Sequence, residues 1–178
     1  MDIQKLCLSL GASKAEEISI EKLTFSPELR ILCEQNSCGR FAGNYTCPPC
    51  IGNVEELIAK VKSFKHAVIW QNIYPLEDSF DFEGMMDGQK KHNTLTLEIG
   101  NYIYEKLGRE NALVLGAGGC TICDECAQKT ATPCRNIDLA LASLEAYGIN
   151  VSEIGNISTL KYINGQNTVT YFSGAFYK

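Results

Sequence analysis

Two groups of cysteines constrain this chain more strongly than any other feature of its sequence. Eight of the nine cysteines in the 178 residues fall into them, with spacings C-x4-C-x8-C-x2-C and C-x2-C-x2-C-x7-C. The first cysteine group consists of Cys33, Cys38, Cys47 and Cys50, and the second of Cys120, Cys123, Cys126 and Cys134. Thiols at such short spacings indicate metal ligands or reactive cysteine pairs. The fold therefore has to leave two loops free to wrap around a ligand.

The start of the chain predicts a cytoplasmic protein with reduced thiols. The segment MDIQKLCLSL lacks the basic start and the long apolar stretch of a secretory signal peptide. Disulfides rarely persist in a reducing compartment, and an odd number of cysteines fits a disulfide framework poorly. The ninth cysteine, Cys7, lies on the apolar face of a predicted helix over residues 3–10, which indicates a buried structural thiol. The eight grouped cysteines are therefore predicted to bind metal.

Charge and hydropathy argue against nucleic-acid and membrane partners. The net charge is −5, so the chain has no basic surplus for a phosphate backbone. No apolar run approaches the roughly 18–20 residues of a membrane-spanning helix. The glycine-rich stretch GAGG over residues 116–119 lacks the G-x-G-x-x-G spacing of a dinucleotide loop and leads into cysteines instead of a helix.

The second cysteine group favours a [4Fe-4S] cluster. Three cysteines at three-residue steps, as in CTICDEC, let one loop wrap three irons of a cubane, and a fourth thiolate comes from further along. A single tetrahedral zinc ion is more often bound by separated pairs of ligands. The bacterial ferredoxin run continues with x3-C-P, whereas here the gap to Cys134 is seven residues and Pro133 precedes it. An iron–sulfur cluster on the second group is the prediction, with Zn²⁺ as the alternative.

The spacing of the first cysteine group is less diagnostic. It suits a second iron–sulfur cluster or a zinc site, so the chain is predicted to hold one or two clusters. The sequence CPPC, from Cys47 to Cys50, resembles a redox-active pair, but that chemistry needs a helix starting at the first cysteine. The next helix is predicted to start only near Asn53, and two more cysteines lie upstream, so a dithiol function is not favoured.

The remaining patterns predict one mixed α+β domain over residues 1–178, with a small mixed sheet, helices and a C-terminal β-hairpin. The hairpin prediction depends on the turn pair Asn164–Gly165 between alternating apolar residues. Lys90, Lys91 and His92 are predicted to form a solvated helix face. Helices are predicted over 3–10, 53–64 and 136–147, together with a helix that starts within the acidic segment 77–89 and runs to 107. Strands are predicted over 16–23, 66–74 and 111–115, and an extended run over 27–33.

Two long stretches resemble a known family, the small "predicted metal-binding protein" family of anaerobic bacteria and methanogens, whose function is unknown. They are RILCEQNSCGRFAGNYTCPP and GGCTICDECAQKTATPCRNIDLALASLEAYGINV, and the resemblance runs from Glu16 to about Ile154. Cys50 departs from the family pattern, which has CPP without a following cysteine. The metal ligands that this resemblance implies are Cys33, Cys38, Cys47, Cys120, Cys123, Cys126 and Cys134.

Three functions remain open at this point. The first is an electron-transfer or redox-accessory protein with one or two [4Fe-4S] clusters and a redox partner protein. The second is a zinc-stabilised binding module without redox activity, which a chelator would unfold. The third is an enzyme whose cluster keeps one iron open to substrate, in which case Cys50 or Cys134 would be dispensable. Arg40 and Arg135, each close to a cysteine, are expected to offset the negative charge of a cluster.

Overall fold

A four-stranded antiparallel sheet, in the order β1-β2-β4-β3, forms the centre of the computed structural model, which describes residues 2–178. The strands are β1 (Lys14–Ile18), β2 (His66–Pro75), β3 (Ala112–Leu115) and β4 (Thr168–Tyr177). The helices are α1 (Ile3–Leu10), α2 (Leu29–Glu34), α3 (Val54–Lys62) and α4 (Phe82–Leu107). The predicted α+β class is confirmed.

Each face of the sheet covers its own hydrophobic core because side chains alternate along the central strands. Val68, Trp70 and Ala175 face α1 and α4, whereas Ile69 and Phe176 face α3 and the irregular segment 142–160. Burying one large apolar side chain contributes about 1.5–3 kcal/mol, so these two layers dominate the stability of the domain. The helix ends follow the predicted signals, since the Asn53 side chain caps α3 and Gly11 ends α1.

The predicted C-terminal hairpin is wrong, and the sheet is antiparallel throughout, not mixed. β4 lies between β2 and β3 and runs antiparallel to both. β2 pairs with its whole length and β3 with residues 174–177 alone, and the segment before β4 does not pair with the rest of that edge. The chain turns just after the predicted pair, at Gln166–Asn167, where Asn167 has a φ of +52°, and Gly165 has a φ of +121°. The chain before it packs through side chains instead: Leu160 is fully buried in the core, and the Tyr162 ring stacks on Phe172.

Two local predictions also fail because tertiary pairing overrides the local pattern. The extended run predicted over 27–33 contains α2, and the helix predicted over 136–147 is absent. In its place are short 3₁₀ turns, and Ser143 forms an isolated bridge to Gly116 directly after β3. This bridge holds the segment that follows the second cysteine group against the sheet edge. The long helix α4 begins at Phe82, within the acidic segment predicted to lead from a loop into this helix, because the Asp81 side chain caps it.

His92 is buried, not solvated as predicted, because it lies on the stripe of α4 that packs against the sheet. Its Nδ1 lies 3.0 Å from Asn72 Oδ1, and its Nε2 lies 2.7 Å from Ser173 Oγ. The Asn72 amide nitrogen donates to the carbonyl of Gly11, so Oδ1 is the atom that accepts from His92. Burial disfavours the charged ring and lowers its pKa, so the ring is neutral at pH 7. With its proton on Nδ1, the Nε2 atom accepts from the Ser173 hydroxyl.

Acidification is expected to destabilise the fold through His92. Burial lowers the pKa of His92 to about 4, below its usual 6.5. Between these two values the unfolded chain binds the proton and the folded chain does not, so stability falls as the pH drops. The free energy of unfolding should decrease by about 2 kcal/mol between pH 7 and pH 5 through this residue. Urea titrations of the wild type and of His92→Gln measure it; an equally steep decrease in the variant would contradict the assignment.

Among residues 2–178, no helix combines the length and the apolar character needed to cross a membrane.

Candidate metal centre

The two cysteine loops are joined directly through the peptide groups of Cys120. The N–H of Cys120 donates to Thr46 Oγ1 at 3.0 Å. Its carbonyl oxygen accepts from Asn44 Nδ2 at 3.0 Å and from Arg40 Nη1 at 2.9 Å. The first loop follows α2 and the second follows β3, so three hydrogen bonds bring together segments more than seventy residues apart. The two cysteine groups therefore lie side by side.

Asn44 and Thr46 are the residues that sequence reasoning missed. Both side chains are buried, and Asn44 Oδ1 accepts from the N–H and from the hydroxyl of Thr46. These bonds form a local turn that presents the Asn44 amide and the Thr46 hydroxyl to the second loop. Asparagine and threonine side chains commonly bond to nearby backbone in this way. The short sequence NYTC before the CPPC pair was therefore a usable signal for an ordered turn.

The four cysteines of the second group line one small cavity, of about 20 Å³. A 3₁₀ turn over Ala127–Thr130 reverses the chain between the CxxCxxC run and Cys134. Asn136 Nδ2 donates to Cys123 Sγ at 3.2 Å. Burial raises the pKa of the Cys120 thiol, and the neighbouring thiols of Cys134 and Cys123 raise it further.

A larger groove, of about 360 Å³, lies between the two loops. Cys38 borders it from the first loop, and all three cysteines of the CxxCxxC run border it from the second. The CxxCxxC run thus separates the small cavity from the large groove. Arg40 and Lys129 supply positive charge to the groove, whereas Asp124 and Glu125 supply negative charge, and Lys129 pairs with Glu125 at 3.5 Å.

Three thiols of the first group influence one another electrostatically. Burial raises the pKa of Cys47 to about 11, and the thiols of Cys38 and Cys33 add to this effect. Burial likewise raises the pKa of Cys33, although the nearby Arg30 guanidinium opposes the rise. Thiols with raised pKa values keep their protons at neutral pH until a metal ion displaces them. The arrangement therefore couples metal binding to proton release.

Cys50 lies in the turn that follows Cys47, and α3 begins only at Val54. A redox-active CxxC pair requires its first cysteine at the start of a helix. The structure lacks that arrangement at Cys47, in agreement with the sequence-based argument against a dithiol function.

The other candidate ligands are occupied elsewhere. His66 stacks on Tyr177 at the start of β2, and His92 binds Asn72 and Ser173. Cys7 lies on the buried face of α1, as predicted, and burial raises the pKa of its thiol to about 12. Of the two arginines expected to offset cluster charge, Arg40 borders the groove, and Arg135 donates to the carbonyl of Glu125 beside the small cavity.

The thiols surround the two spaces without converging on a single point. Within residues 2–178, no three Cys, His, Asp or Glu side chains are arranged closely enough to hold one ion. Sulfur ligands bind zinc at about 2.3 Å, so a single zinc ion would require its thiols to move inward. A cubane cluster separates its four thiolates more widely, because each binds a different iron. The thiols of the second group line the small cavity, and three of them also border the groove.

A comparison with known families decides the classification. The family model described as "Predicted metal-binding protein (DUF2284)" matches residues 16–177. The chain belongs to this family. The DUF2284 match contains all eight grouped cysteines and extends past Ile154 through β4, so it includes the sheet and both loops. No curated protein and no solved structure matches the chain.

Proposed function

We propose that this protein holds an iron–sulfur cluster on its second cysteine group and acts in electron transfer or as a redox accessory protein. One observation carries the proposal: Cys120, Cys123 and Cys126 all border the groove of about 360 Å³ between the loops. Three thiolates from one CxxCxxC loop can bind three irons of a cubane. When bound, such a cluster accepts and releases single electrons.

Cys134 is the proposed fourth ligand. It lines the small cavity with the other three cysteines, and its thiol affects the pKa of Cys120. Cys38 is the structural alternative, because it borders the groove from the first loop. A second cluster is proposed on Cys33, Cys38 and Cys47, with Cys50 in the adjoining turn. The electrostatic coupling among the first three thiols supports this grouping.

The surroundings of the second group suit an electron carrier. Arg40 and Lys129 can offset part of the negative charge of a four-thiolate cluster. The N–H···S bond from Asn136 to Cys123 would raise the reduction potential by stabilising added negative charge. Ile122, Ile137 and Leu139 are exposed near these cysteines and provide an apolar surface for a redox partner protein. A cytoplasmic location is part of the proposal, supported by nine free cysteines.

A zinc-stabilised binding module is the second candidate. The small cavity of about 20 Å³ has room for roughly one water-sized sphere, which suits a single ion better than a cubane. Reduction with dithionite under anaerobic conditions separates the two candidates. On reduction, an iron–sulfur protein should lose intensity in its visible sulfur-to-iron charge-transfer bands and gain an electron paramagnetic resonance signal. A zinc protein should be colourless and should not respond to dithionite.

A further inference from the structure

A separate pocket, of about 300 Å³, is bordered by Ala117 and Gly118 of the GAGG turn. β4, the end of the GAGG turn and the short 3₁₀ turn over Glu145–Tyr147 form its walls. In the described part of the chain, the residues lining it include no cysteine. The volume is at the lower end of the range for small-molecule sites, and no residue of the metal centre contributes a side chain to it.

Glu145 supplies the one carboxyl group among the lining residues. The residue is half-buried, and burial raises the pKa of its carboxyl group, whereas hydrogen bonds from its own backbone and from the Ser143 side chain oppose the rise. Within residues 2–178, no Lys, Arg or His nitrogen lies within 4 Å of this carboxylate. A desolvated carboxylate without a counter-ion is unfavourable. A ligand that brings a positive charge would provide the missing partner.

The pocket is also lined by the side-chain amide of Gln89 and by aromatic rings. Gln89 lies against Gly118, where an added Cβ would overlap the Gln89 amide nitrogen, and the φ of +68° at Gly118 also requires glycine. Tyr162 stacks on Phe172, with the ring centroids 6.2 Å apart and the planes 15° from parallel. Aromatic faces attract cations through the ring quadrupole, and they also pack against flat apolar groups. The Gln89 carbonyl oxygen adds an acceptor for an ammonium proton.

We propose that this pocket binds a small organic cation, a primary ammonium group attached to an apolar or aromatic body. Glu145 is the counter-ion, the Gln89 side chain accepts a hydrogen bond from the ammonium group, and Tyr162 and Phe172 contact the body of the ligand. The site uses none of the cysteines, although the Glu145 carboxylate is close enough to Cys33 to raise the pKa of that thiol.

Calorimetric titration of the full chain with 2-phenylethylammonium, 2-phenylethanol and 3-phenylpropionate tests the proposal. These probes share one ring and differ in charge. We expect the ammonium to bind at least about tenfold more tightly than the alcohol, and the carboxylate not to bind. The substitution Glu145→Gln should weaken ammonium binding by about tenfold or more, whereas Glu105→Gln, which removes an exposed carboxylate from α4, should leave it unchanged.

A second pair of variants keeps the test decisive if Glu145→Gln does not fold. Tyr162 is 49% exposed, so Tyr162→Ala should fold, yet it removes one ring from the pocket. It should weaken binding of the ammonium severalfold, and Tyr102→Ala, at a similarly exposed tyrosine of α4, should not. Equal affinity for the ammonium and the alcohol, failure of the ammonium to bind at millimolar concentrations, or wild-type affinity in both pocket variants would overturn the proposal.

Discussion

Replacing Cys123 with serine should remove the metal centre of the second loop. Cys123 borders both the small cavity and the large groove, and its sulfur accepts the hydrogen bond from Asn136. Substitution of a residue that hydrogen-bonds to a metal ligand typically lowers the metal affinity about 10- to 100-fold. Loss of a ligand itself should lower the affinity at least as much. Metal content after anaerobic purification, together with the absorption spectrum, measures the loss.

The ninth cysteine provides a matched control for this experiment. Cys7 is fully buried in the core between α1, α4 and the sheet, away from both cysteine groups. Cys7→Ala should keep the full metal content and lose only about 1 kcal/mol of unfolding free energy through imperfect packing. If Cys123→Ser keeps the wild-type metal content, or if Cys7→Ala loses as much metal, the second cysteine group is not the metal centre.

Gly119→Ala should separate the two loops without removing any polar group. A Cβ at this position would lie 2.8 Å from Cys47 Sγ and 2.8 Å from Arg40 Cδ, closer than real side chains approach. Relief of these overlaps requires the Arg40 and Cys47 side chains to move, which would break the hydrogen bond from Arg40 to Cys120 that joins the loops. Overpacking of this kind costs about 1–3 kcal/mol, and a displaced Cys47 should also weaken metal binding at the first group. Denaturant unfolding and metal analysis follow the two effects.

Gly43 is the matched control, because it lies in the first loop and has no atom closer than 3.8 Å to the position of an added Cβ. Gly43→Ala should change the unfolding free energy by no more than about 0.5 kcal/mol and should keep the metal. Equal stability and metal content in the Gly43 and Gly119 variants would show that the loops do not depend on the close approach at Gly119.

Local sequence patterns were sufficient where a single element determines its own structure. The Asn53 cap and the apolar stripe after it predict α3, and the buried run that starts at His66 predicts β2. Local patterns failed where the conformation of a segment depends on contacts with residues distant in sequence. The predicted hairpin is absent because Leu160, in the segment before β4, is buried in the core, and β4 pairs along its whole length with β2 instead. His92 looked solvated beside two lysines, but the helix phase turns it toward Asn72 and Ser173.

The same distinction applies to the candidate site: its cysteines were predictable from the sequence, and the contacts between its loops were not. Cysteine spacing identifies the two loops, because thiols that bind one metal group have to be close along the chain or in space. It does not predict that Asn44 and Thr46 bind the peptide of Cys120, since that contact depends on how two loops meet across the fold. Nor does it predict the pocket at Glu145, because a helix was predicted there and the carboxylate position depends on the 3₁₀ turn that forms instead.

The analysis of iron, zinc and acid-labile sulfide in protein purified under strict anaerobiosis tests the central claim most directly. A brown protein with about four iron and four sulfide per chain would agree with one cluster on the second cysteine group, and about eight of each would agree with a second cluster on the first. A colourless protein without iron or sulfide that retains zinc would contradict the iron–sulfur assignment.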